Sequence, residues 1–99
     1  MKPEIKKILM QMLSDAGINS CANTDDFTWL FTTVKDNSEQ LRVRFKNETY
    51  HTTGDYKTTF FINGLRAIIT TWLDNDCVDS VEKMNELAMR EYKKLFEAV

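Results

Sequence analysis

Phe27-Thr28-Trp29-Leu30-Phe31-Thr32-Thr33-Val34 is the segment on which the fold turns, because two periodicities compete in it. Strand alternation puts Phe27, Trp29 and Phe31 on one face, with Leu30 and Val34 on the other. Helical spacing instead groups Phe27, Leu30, Phe31 and Val34. The threonines and the tryptophan tip the reading toward a strand, since β-branched and aromatic side chains suit a pleated, half-buried surface. Strand and helix both stay open for these residues on pattern alone. The longer stretch Phe27–Ile62 weighs on the strand side, because it also holds Thr49, Thr52, Thr53, Thr58 and Thr59 with Phe45, Tyr50, Tyr56, Phe60 and Phe61.

Downstream, Lys35-Asp36-Asn37-Ser38 has the composition of a turn. Leu41, Val43 and Phe45 then alternate with Arg42, Arg44 and Lys46, which predicts a strand with one apolar and one basic face. Asn47-Glu48 turns the chain again. Thr49–Thr53 and Tyr56–Ile62 flank Gly54-Asp55, a pair suited to a tight hairpin. Successive strands with short turns predict an antiparallel β-meander over about residues 27–62.

Helices are expected on either side. In residues 3–16, Ile5, Ile8, Leu9, Met12, Leu13 and Ala16 share one helical face, Pro3 suits the first turn and Gly17 the C-terminal cap. After the meander, Asn63 can cap a second helix that carries Leu65, Ile68, Ile69, Trp72 and Leu73. Asp79 and Glu82 resemble a capping box that opens a third, whose stripe is Val81, Met84, Ala88, Tyr92, Leu95 and Val99 with Phe96 at its edge. The fold class expected is therefore α+β: an N-terminal helix, the meander, and two C-terminal helices packed on one sheet face, all in a single domain spanning residues 1–99.

Composition narrows the functional classes. An apolar fraction of 42% with 28% charged residues over 99 positions is ordinary for one globular domain. The formal charge of −2 argues against nonspecific nucleic-acid binding. No apolar run approaches the ~20 residues that span a bilayer. Lys6, Lys7 and Asp15 interrupt any signal-peptide core, so the expected compartment is the cytoplasm, with Cys21 and Cys77 as reduced thiols.

Catalytic chemistry finds no foothold. His51 is the only histidine, and no nucleophile or orienting group stands at a spacing that would use it. Gly17, Gly54 and Gly64 are isolated, so no phosphate loop exists. Asp74, Asp76 and Asp79 miss the calcium-loop pattern, which needs an oxygen ligand where Val78 sits and glycine where Asp79 sits. No enzyme, cofactor or metal site is expected. The candidate surface is the basic strand face, with Arg42, Arg44, Lys46, Tyr50, Tyr56 and Lys57 as partner-binding residues. An acidic peptide or protein suits it at least as well as RNA. Met10, Met89 and Leu87 lie off or beside their helices' stripes, which leaves apolar surface for docking or dimerisation.

Two stretches carry family resemblances. Leu13-Ser14-Asp15-Ala16-Gly17-Ile18, the Asp25-Asp26 bend before Trp29-Leu30-Phe31, and Leu41-Arg42-Val43-Arg44 make residues 3–46 look like the opening of small α+β domains of the type III secretion chaperone-like and YbjN-like group. That resemblance implies a non-enzymatic, often dimeric protein that holds a partner polypeptide. Phe60-Phe61, Gly64-Leu65, Ile68-Ile69, Trp72-Leu73, Ser80, Glu82 and Met84 resemble the last two helices of tetracycline-repressor-type regulators. It implies an all-helical ligand-sensing and dimerisation domain, here without a DNA-binding part, and it requires Phe27–Val34 to be helical. The first expectation is thus a small binding or adaptor protein acting through a protein partner or self-association. The ligand-sensing domain is the alternative.

Overall fold

The computed structural model describes residues 1–45, 49–52 and 55–97, and among them every regular element is a helix. The helices are α1 (Pro3–Asp15), α2 (Thr28–Asp36), α3 (Ser38–Arg44), α4 (Tyr56–Asp74) and α5 (Val81–Phe96). This overturns the α+β expectation: no strand, hairpin or sheet occurs among the described residues. Lys46, Asn47, Glu48, Thr53 and Gly54, which the meander reading used, and Val99 of the last stripe lie outside them.

Three physical reasons explain the correction. First, helical geometry satisfies the threonines: Thr33 Oγ1 donates to the Trp29 carbonyl at 2.7 Å, Thr59 to Asp55 at 3.2 Å and Thr70 to Arg66 at 3.0 Å. Each hydroxyl reaches back one turn, a bond that β-branched threonine makes readily inside a helix. Second, the alternation at Leu41, Val43 and Phe45 does not survive as a buried face. Leu41 and Phe45, four residues apart, are buried, whereas Val43 is 77% exposed. Third, Asp55 is a helix cap and not a hairpin residue. Its carboxylate accepts the Thr58 backbone N–H at 2.7 Å, and Thr58, Phe61, Ile62, Leu65 and Ile69 then bury one helical face of α4. Asn63, read as the cap of this helix, lies in its interior, with Gly64 beside it.

The outer helices follow the sequence pattern more closely. α1 buries Ile5, Leu9, Met12 and Leu13. It ends in a Schellman motif: Ile18 N–H donates to the Leu13 carbonyl and Gly17 N–H to Ser14, both at 2.9 Å, with Gly17 at φ +83°. α5 starts one residue later than the capping-box reading. Ser80, not Asp79, accepts the Lys83 N–H, at 3.1 Å, while Asp79 pairs with the Lys83 ammonium.

The core lies where α2, α4 and α5 meet, with α1 and α3 packed on α4. α2 is tied down at its first turn by side chains from two directions. Asp26 accepts the Thr28 N–H at 3.0 Å and Thr24 Oγ1 the Trp29 N–H at 3.2 Å. From α5, Asn85 accepts the Phe27 N–H at 2.8 Å and donates to Asp26 Oδ2 at 3.2 Å. Partial burial pushes the Asp26 carboxyl upward, but hydrogen bonds from Thr28, Thr24 and Asn85 together outweigh it and hold the group below its ordinary value.

A pH dependence follows from that depression. The unfolded chain binds a proton at Asp26 more readily than the folded one, so the stabilisation is fully present above the ordinary carboxylate range and fades as pH falls through it. Urea unfolding between pH 6 and pH 2.5 should show the wild type losing stability below about pH 4 more steeply than Asp26→Asn. The two chains should converge at the acid end; parallel curves would remove Asp26 from the account.

The two tryptophans differ in a testable way. Trp72 donates its indole N–H to the Asp79 carbonyl at 2.9 Å and meets Phe31 edge-on at 5.5 Å. The Trp29 N–H, in an equally buried side chain, has no acceptor among the described residues. Trp72→Phe should therefore cost about 1–2 kcal/mol more than Trp29→Phe, because the first strands a carbonyl and the second removes an unpaired donor. The reverse order in urea denaturation would contradict this assignment.

Candidate functional site

With no strand to carry it, the basic face expected from the sequence is not formed. Arg42 sits on α3 and reaches the C-terminal end of α4: its Nε donates to the Leu73 carbonyl at 3.1 Å and its Nη2 pairs with Asp76 at 2.7 Å. Lys57 lies near the other end of α4, about 24 Å away along the helix axis. Tyr56 is the first residue of α4 and is almost wholly exposed. Lys46 lies outside the described residues.

Arg44 and Tyr50 do come together, in a cleft of about 350 Å³ with Asp15, Phe45, His51 and Arg66. The Arg66 guanidinium stands 4.2 Å from the Phe45 ring centre and 5.6 Å from that of Tyr50. Tyr50 OH donates to Asp15 at 3.3 Å, and Asn63 holds the Tyr50 backbone by accepting its N–H and donating to its carbonyl. Burial first, then the charge of Asp15, pushes the Tyr50 phenol above its ordinary value, with Arg66 pulling the other way. These contacts fasten the segment before α4 onto α1 and α4.

Among the described residues, an apolar furrow lies open between α4 and α5. The two helices run antiparallel, so Phe60 near the start of α4 lies opposite Leu95 near the end of α5. One part of the furrow, about 500 Å³, is lined by Phe60, Phe61, Gly64, Leu65, Leu87 and Leu95 among others. A second part, about 330 Å³, continues it past Ala67, Thr71 and Met84 to Asn75 and Asp79. Ile68 and Leu87 border both. The floor is core: Phe61, Leu65, Met84 and Ala88 are buried. Phe60 stands at the mouth, 72% exposed.

Gly64 keeps this furrow open. It sits in the middle of α4, and a Cβ built on it would meet nothing within 4 Å. Glycine in a helix interior costs roughly 0.5–1 kcal/mol relative to alanine, and none of the described residues requires its small size. Any side chain there would project into the furrow beside Phe60 and Leu65.

The off-stripe position of Leu87 was legible as spare apolar surface, and Leu87 does border the furrow. Met89 instead packs against the core, and Met10 is partly exposed on α1. Phe60 and Gly64 gave no such signal: Phe60 was absorbed into the strand expected over Tyr56–Ile62, and Gly64 followed the residue expected to cap the next helix. Among the described residues no cluster of His, Cys, Asp or Glu could hold a metal ion, and no helix is long and apolar enough to cross a membrane. Cys21, exposed, and Cys77, buried, are both free thiols. Comparison with known protein families, with characterised proteins and with solved structures returned no match.

Arg42 is a fold residue by its contacts. Asp76 and Cys77 adopt φ of +59° and +51°, left-handed conformations that cost a non-glycine residue free energy. Arg42 holds this turn through Asp76 and caps the end of α4 through Leu73, where a cation also suits the helix dipole. Arg42→Ala should lower unfolding free energy by about 1–2 kcal/mol, while Arg44→Ala, exposed and free of such a role, should stay within about 0.5 kcal/mol. Equal effects of the two substitutions in urea denaturation would refute the capping assignment.

Proposed function

We propose that this chain is a small non-enzymatic binding domain of the cytoplasm whose docking surface is the α4–α5 furrow. The occupant is a helical segment of a partner polypeptide. The carrying observation is Gly64: the chain accepts a mid-helix glycine that its own packing does not require, at a position where any side chain would fill the furrow. A helix about 10 Å across is the common protein element that fills such a trough, by laying one apolar stripe into it. The furrow's buried floor and half-buried walls supply an apolar contact without exposing the core, and Phe60 supplies an aromatic anchor of the kind that dominates interface energetics.

The second reading is the ligand-sensing helical domain. It draws support from the helix over Thr28–Asp36, which that reading needed, and from a furrow volume inside the range of small-molecule sites. The exposure of Phe60 and Gly64 at the open side speaks for a macromolecular occupant, because small-molecule sites enclose most of their ligand.

Three variants test the proposal without disturbing the core. Gly64→Ala should raise stability by about 0.5–1 kcal/mol. Gly64→Leu should leave the melting temperature at or above wild type while weakening, by about tenfold or more, the binding of a fluorescent amphipathic helical peptide with a leucine stripe and an uncharged outer face. Leu87→Asp should weaken the same peptide comparably. Undiminished binding to Gly64→Leu, read by fluorescence anisotropy, would move the docking surface elsewhere. Loss of peptide binding to the wild type after saturation with a small apolar dye of furrow size would favour the second reading.

A further inference from the structure

A second cleft, of about 460 Å³, lies between α2 and the loop that joins α1 to it. It shares no lining residue with the α4–α5 furrow. Two polar atoms of its lining residues, Trp29 Nε1 and Ser20 Oγ, are buried and have no hydrogen-bond partner among the described residues. Folded proteins leave few such groups, because each has given up water and regained nothing. Nearby side chains are committed elsewhere. Thr24 Oγ1 accepts the Trp29 backbone N–H at 3.2 Å, Thr33 donates to the Trp29 carbonyl at 2.7 Å, and Asn37 donates to the Thr33 carbonyl at 2.8 Å. Thr28 hydrogen-bonds Asp26. The backbone of Trp29 is thus satisfied at both ends, while its indole N–H is not. Asn19 and Ser20 also border a neighbouring groove along α1, so Trp29, which borders this cleft and not that groove, carries the assignment.

The lining restricts the occupant. Asn23 and Thr32 add amide and hydroxyl groups, which both donate and accept and so match a ligand whose groups do the same. Asp36 is the charged residue of the walls, and no cation among them could neutralise an anion. The Trp29 side chain is 2% exposed, so it gives no face for stacking and recognition falls to hydrogen bonds. We propose that this cleft binds a small uncharged polyol, a sugar or a cyclitol, whose hydroxyls accept the Trp29 indole N–H and bond Ser20 Oγ. A trapped water is the rival occupant, since buried polar atoms without protein partners commonly hold one. The cleft is far larger than the ~30 Å³ share of one water and falls in the size range of small-molecule sites.

The test reads the indole N–H itself, in the isotope-labelled full chain. Its two tryptophans give two indole signals, assigned with Trp29→Phe, and Trp72, bonded to the Asp79 carbonyl, is the internal reference. Titration with glucose or with myo-inositol should move the Trp29 signal downfield and leave that of Trp72 in place. Hydrogen bonds without stacking predict dissociation constants on the order of 1–10 mM for the better of the two. Ser20→Ala should weaken that polyol by about three- to tenfold at unchanged melting temperature. Glucose 6-phosphate should bind at least about fivefold more weakly than glucose, because Asp36 repels it. A Trp29 signal that stays still with both polyols at about 100 mM would overturn the proposal and leave water as the partner of the N–H. Equal movement of both indole signals would mark a solvent effect and overturn it as well. Tighter binding of glucose 6-phosphate than of glucose would overturn the uncharged class. None of these outcomes bears on the furrow.

Discussion

Tyr92 stands where three helices and the chain's N-terminal segment meet, and the rest of the packing depends on that junction. Its ring lies 5.9 Å from Phe27 at the head of α2, 5.8 Å from Phe61 in α4 and 5.1 Å from Phe96 on its own helix. Phe61 in turn meets Phe27 and Phe96. The tilted and edge-on geometries are those that ring quadrupoles prefer, and each adds modestly to the burial of large apolar area. The phenol oxygen sits at the margin and accepts the Lys2 backbone N–H at 2.7 Å, while the Lys2 ammonium stands 4.9 Å from the Phe96 ring centre. One side chain thus fixes α5 against α2 and α4 and fastens the start of α1 to the same cluster.

Around that cluster, side-chain polar groups do for the helix ends what apolar burial cannot. Each helix leaves unpaired N–H groups at its start and carbonyls at its end. In this chain several are met by residues distant in sequence: Asn85 on α5 serves the head of α2, Arg42 on α3 serves the tail of α4, and Asn63 inside α4 holds the backbone of Tyr50. Such bonds are directional, so they specify how α2 and α3 sit on α4 and α5 where apolar contact alone would tolerate sliding. The left-handed Asp76 and Cys77 show the other side of the arrangement, a turn held in an unfavourable conformation beside the Arg42 clamp.

The legible parts of the sequence were those whose signals were local. Pro3 at the start, the Ile5-to-Ala16 stripe and Gly17 at the end describe α1 fully, because its caps are its own residues. The stripe of α5 was legible for the same reason. The middle was misread where a distant partner decides the outcome. Threonine-rich composition favours strand only when the hydroxyls lack a nearer acceptor, and here the carbonyl four residues back supplies one. Val43 looked like part of an apolar face because alternation cannot tell a buried valine from an exposed one. Asp55 carried two meanings, hairpin turn and helix cap, and the face-forming run Thr58, Phe61, Ile62 and Leu65 decides for the cap. Of the six candidate binding residues, Arg42 is taken up by α4's end and Tyr50 by Asp15 and Asn63, while Lys57 is exposed in the first turn of α4.

The furrow itself follows from a mismatch between pattern and coverage. Read as one helix, α4 is apolar on more of its circumference than its neighbours cover: Phe61, Ile62, Leu65, Ile69 and Trp72 are buried on one face, while Ala67 and Ile68 are half-buried and Phe60 is exposed. α5 has a narrower stripe and meets α4 along Met84 and Ala88, leaving Leu87 and Leu95 at its edge. A larger side chain at position 64 would close the gap from within and raise helix propensity at once. Glycine does neither, so the isolated domain is less stable than its own backbone permits. That cost is local to the surface the two helices leave open, and a partner helix would offset it by burying the same apolar residues.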